Sequence, residues 1–202
     1  MERSSAIRPL LPIIGLLTLA LIPFAGSIHR IIDVTFLAAT LESARFHTAP
    51  IPILLHASFA SMFLILGAIQ FAPKQRKWHR NAGKVAIVAG LIAALAGLWM
   101  TQTYPHGPGN PELIYGFRIT FGTLWALSLI AGFLAIRQRN FVAHRAFMIR
   151  AYAIGAGAGT SVLTITLFGN TFGQVAAWAL NLAVAEYLIH RKRGTVGLRN
   201  GA

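Results

Sequence analysis

Residues 74–104 read KQRKWHRNAGKVAIVAGLIAALAGLWMTQTY: five basic side chains and no acid, then a run without a formal charge. A helix crosses the bilayer core with about 20 predominantly apolar residues. The uncharged run, Val85 to Tyr104, is long enough to do so. Its basic head marks the side from which it starts, because Lys and Arg are retained in short cytoplasmic loops.

Five further stretches meet the same length criterion, so the chain reads as all-α, a polytopic bundle of six transmembrane helices in a single membrane domain over residues 1–202. The predicted spans are Ile7 to Ala25, Ile51 to Phe71, Val85 to Tyr104, Ile114 to Ile136, Phe147 to Phe168 and Phe172 to Ile189. With their basic heads, the third and fifth extend over 78–104 and 144–168. Composition agrees, since charged residues make up 11% of the chain against roughly 25% in a soluble domain. The net charge of +13 comes from residues that flank apolar runs and form no continuous basic face, which excludes nucleic acid as the partner and leaves the lipid bilayer. With no cysteine, the chain has no disulfide framework and no thiolate metal site.

The basic residues set an orientation. Lys74, Arg76, Lys77, Arg80 and Lys84 lie between the second and third helices, Arg137, Arg139 and Arg145 between the fourth and fifth, and Arg191, Lys192 and Arg193 in the tail. The loops 104–113 and 169–173 hold no Lys or Arg. Both termini are therefore expected in the cytoplasm, with the protein in a cell inner membrane as a multi-pass chain. The head MERSSAIRPLLPIIGLLTLALIPFAGS also has the layout of a signal peptide, so residues 1–27 read as either a retained helix or a cleaved one. The segment 28–50 mixes Ile31, Ile32, Val34, Phe36 and Leu37 with Asp33, Glu42 and Arg45, which predicts an outer amphipathic surface helix.

Two spans open with His-Arg: His79-Arg80 on the third helix and His144-Arg145 on the fifth. Gly83, Gly90 and Gly97 fall within about 40° of His79 around the helix, a stripe of small residues. The fifth helix contains AIGAGAGTS, Ala153 to Ser161. Small faces let membrane helices approach closely, so the third and fifth are expected to touch. The same faces would also leave room for a flat ligand.

His79-Arg80-x-x-Gly83 and His144-Arg145-x-x-Met148-x-Arg150, with His56 on the second helix, resemble a bacterial family of uncharacterised predicted membrane proteins, over roughly Ile51 to Ile165. More distantly the pattern resembles b561-type membrane cytochromes. That resemblance implies haem b held by His79 and His144, with Arg80, Arg145 and Gly83 lining the site. The fourth helix has no histidine to partner His56, so only one such site would map. The function this implies is a haem b or quinone-linked electron carrier, with a quinone or a redox protein as partner. The bland reading of the same residues is interfacial anchoring in a transporter or assembly factor.

Glu186 is the one carboxylate inside a predicted span, and Arg150 lies at a similar depth, so the two are expected to pair. His47, His56 and His106, with Asp33, Glu42 or Glu112, form a loose metal-ligand set without helical spacing. Arg118 is expected to snorkel, while His29 and His190 read as interfacial. No Ser-His-Asp set, phosphate loop or dinucleotide fingerprint is present.

Overall fold

The computed structural model describes residues 11–41, 43–71, 76–105 and 111–197. These residues hold eight helices: α1 (Leu11–Phe36), α2 (Ala44–Thr48), α3 (Pro50–Gln70), α4 (Arg76–Thr103), α5 (Pro111–Arg137), α6 (Phe141–Gly155), α7 (Gly157–Phe168) and α8 (Asn170–Gly197). Five are long and apolar enough to cross a membrane, and α6 with α7 forms a sixth, bent candidate span. Large apolar side chains such as Leu127, Leu134, Leu163 and Leu167 lie exposed on the outside, where lipid would cover them.

The spans close into a ring. α1 packs on α3, α3 on α4, α4 on α5 and α5 on α6, while α6 and α7 pack on α8 and α7 returns to α1. Phe63 is its central wedge, 1% exposed. A Cβ on Gly90 would lie 2.8 Å from the Phe63 ring, and one on Gly155 would lie 2.9 Å from it. The two glycines therefore admit one phenyl ring between α4 and α6. The glycine stripe of α4 thus faces α3, not the fifth span: Gly83 meets Gln70, Gly90 meets Phe63 and Leu129, and Gly97 meets His56. Its small residues make room for large side chains of α3 and, at Gly90, of α5.

Two expected boundaries differ. The first helix runs on to Phe36, past Ala25, and Pro23 sits inside it. Arg30 and Asp33 pair one turn apart at 2.7 Å along it, and Asp33 is buried. The outer segment 28–50 therefore begins as a continuation of α1 to Phe36 and ends in the five-residue α2. The fifth span is broken at Ala156, with a 46° bend between α6 and α7. Glycine weakens a helix interior, and Gly155, Gly157 and Gly159 cluster at this point. The break also frees the Ala153 carbonyl, which accepts from Asn181 Nδ2 at 3.1 Å, and Asn181 Oδ1 accepts from Thr160 Oγ1 at 3.0 Å. Such repair by a neighbouring helix is what makes a broken span tolerable in lipid.

Candidate functional site

The His-Arg pairs lie at the basic end of the bundle. A tight turn sets up the second of them: Asn140 N–H reaches Ala135 O at 2.9 Å and Arg139 N–H reaches Ile136 O at 3.1 Å, with Arg139 in the left-handed region at φ 58°. Asn140 then caps α6 by accepting from Ala143 N–H at 3.0 Å. One turn on, His144 Nδ1 lies 2.7 Å from the Gly132 carbonyl on α5. Only an N–H can bond a carbonyl, so the proton sits on Nδ1 and the lone pair on Nε2.

His79 is held differently. With its amide oriented to satisfy its neighbours, Gln70 of α3 donates to His79 Nδ1 at 2.6 Å and to His79 O at 3.2 Å, and accepts from Gly83 N–H at 3.0 Å. This arrangement puts the His79 lone pair on Nδ1 and the proton on Nε2, the opposite tautomer to His144. A bis-histidine haem needs two bare ring nitrogens facing one gap. Here one ring is tied to α3 and the other to α5, and Arg80 and Arg145 are exposed. Nε2 is bare on His144 and protonated on His79, so as held here the two rings do not offer a matched pair of ligands.

Arg150 and Glu186 meet in a bidentate pair, Nε to Oε1 at 2.5 Å and Nη2 to Oε2 at 2.8 Å. His190 Nε2 stands 3.6 Å from the same carboxylate. Among the described residues no three His, Asp or Glu side chains gather as a metal site. His47 faces Asp33 at 3.7 Å, while His56 turns to another helix. His106 and Glu42 lie outside the described residues.

The opposite half of the bundle is hollow. A cavity of about 640 Å³ opens there, between α1, α3, α4, α5, the α6–α7 break and α8. Its walls are largely apolar, and its polar lining includes an outer and an inner tier. Arg30, Arg45 and Arg118 form the outer tier. Arg30 is paired with Asp33, and it and Arg45 sit over the Phe46 ring at 4.4 and 4.7 Å. Arg45 Nη1 donates to Pro105 O at 3.2 Å, yet its buried Nε meets no acceptor among the described residues. Among the described residues Arg118 reaches the amide oxygen of Gln174, at 3.3 and 3.4 Å, and no carboxylate. Tyr104 closes this rim by donating to Ala49 O at 2.6 Å.

The inner tier is His56, Ser61 and Trp125. His56 Nδ1 lies 2.8 Å from Ala93 O, so Nε2 carries the lone pair. Gly97 admits this ring, since a Cβ there would stand 3.1 Å from Nδ1. The His56 and Trp125 rings are 6.5 Å apart, edge to face. Trp125 is 6% and Ser61 7% exposed, and neither Trp125 Nε1 nor Ser61 Oγ has a partner among the described residues. Each such group costs about 1–3 kcal/mol if left unmet.

Sequence reading named His56 and Arg118 but missed Ser61, Trp125 and the grouping of Arg30 and Arg45 with them. One signal was present. Arg118 and Trp125 are seven residues apart, which puts them within about 20° on one face of α5.

Residues 53–189 match the family described as "Predicted membrane protein (DUF2306)", and the chain belongs to it. That description assigns no activity. No curated protein and no solved structure matches the chain.

Proposed function

We propose that this member of the predicted membrane protein family is a binding protein for an amphipathic molecule with an anionic head group. The head would meet Arg45 and Arg118, and the hydrocarbon part would fill the apolar cavity between the spans. One observation carries the reading: a membrane-embedded cavity of about 640 Å³ faces three arginines, of which only Arg30 has a carboxylate partner among the described residues. Cations within a span are costly unless paired or wet. A carboxylate or phosphate would supply the missing acceptor, and Arg forms its strongest contacts with those two groups. By the positive-inside rule the cavity opens on the face away from the cytoplasm, with both termini inside and the chain in the inner membrane.

A haem b or quinone-linked electron carrier at the basic edge is the weaker reading. The opposite tautomers of His79 and His144 and the filled glycine stripe both weigh against it. A quinone remains chemically compatible with the cavity instead, because its carbonyls accept hydrogen bonds, but a neutral ring leaves Arg45 and Arg118 without a counter-charge.

Native mass spectrometry of protein released gently from its membrane tests the proposal. An acidic amphiphile should copurify, be lost in Arg118→Gln, and come with no haem absorbance. A haem signal abolished by His144→Ala, with no bound acidic amphiphile, would overturn it.

A further inference from the structure

We infer that the ligand carries a second polar group, a hydroxyl partway along its hydrocarbon portion, seated against His56 and Trp125, whose rings lie 6.5 Å apart. This inference rests on the cavity being the ligand site, and it adds what the arginines do not specify. A simple fatty acid has no polar atom beyond its carboxylate. Its chain would run past the inner tier and leave Trp125 Nε1 buried and unmet. Evolved membrane interiors do not ordinarily leave such groups unpaired.

The inner tier has a definite donor and acceptor pattern. Trp125 Nε1 can only donate, and His56 Nε2, with its proton committed to the Ala93 side, can only accept. The complement is a group that both accepts and donates at one oxygen, which is a hydroxyl. A ketone or ester carbonyl would satisfy Trp125 but give His56 nothing. A second carboxylate would set a lone-pair oxygen against the His56 lone pair. Position along the ligand follows from α5: Arg118 and Trp125 share a face, and seven residues at 1.5 Å rise separate the tiers by about 10 Å. The hydroxyl therefore belongs near the middle of a long chain, well away from the head.

The test compares a mid-chain hydroxylated fatty acid with its unsubstituted parent, binding to the full protein in nanodiscs. The hydroxylated acid should bind on the order of tenfold tighter, the ratio expected when one buried hydrogen-bonding set is met or left unmet. Trp125→Phe should erase that preference, so that the two probes bind the variant with equal affinity. Arg118→Gln should weaken both probes equally. Equal binding of the two probes to the unaltered protein would overturn the hydroxyl and leave the anion site standing. Failure of both probes to bind would overturn the anion site itself, and this inference with it.

Discussion

The two ends of the bundle use the same residue types to opposite effect. At the basic end the polar side chains inside the spans have protein partners: His144 on Gly132, His79 on Gln70, Arg150 on Glu186. At the hollow end Arg45 and Arg118 lack carboxylates among the described residues, and Trp125 and Ser61 lack any partner there. A histidine or arginine in a span therefore says little until its partners are known. Satisfied groups hold helices in register, and unsatisfied groups around a void are available to a ligand.

The comparison can be broken by packing changes in each half. Gly90 lies in the solid part, where an added Cβ would stand 2.8 Å from both Phe63 and Leu129. Gly90→Leu should destabilise the protein by about 1–3 kcal/mol, the usual cost of overpacking. Gly26 lines the cavity and has nothing within 4 Å of its Cβ position. Gly26→Ala should cost no thermal stability in detergent and raise it slightly, since alanine is the better helix former. Equal losses from the two substitutions would show that the bundle is not hollow at that end.

A second, smaller effect concerns the ion pair. Its side chains are 30% and 38% exposed, so screening moderates it. Glu186→Gln should cost about 2 kcal/mol, between the values for exposed and buried pairs. Adding Arg150→Met should recover part of that. Purely additive single and double changes in unfolding experiments would remove the pair as a register lock.

Much of this fold was legible before folding. Run length and basic loops located the spans, since lipid requires a continuous apolar helix. Glu186 and Arg150 could be placed together because Glu186 is the one carboxylate inside a span predicted from the sequence. The break at Ala156 was not legible, because the run Ala153 to Ser161 reads equally as a close-packing face. The end of α1 was misjudged because Arg30 and Asp33 look like surface residues, although they neutralise each other and Asp33 is buried. The cavity was least legible of all. It lies between several spans beside the break, and no local pattern records a space between helices distant in sequence.

The most direct test of the account sets the two ends against each other in one binding experiment. A long-chain fatty acid is titrated into the protein in nanodiscs, alongside Arg118→Gln at the cavity and Arg145→Gln, an exposed cation at the basic end. The account predicts saturable binding that falls by about tenfold to a hundredfold in Arg118→Gln, the loss of one charge-assisted contact, and is unchanged in Arg145→Gln. Equal binding to all three proteins, or loss only in Arg145→Gln, would contradict it.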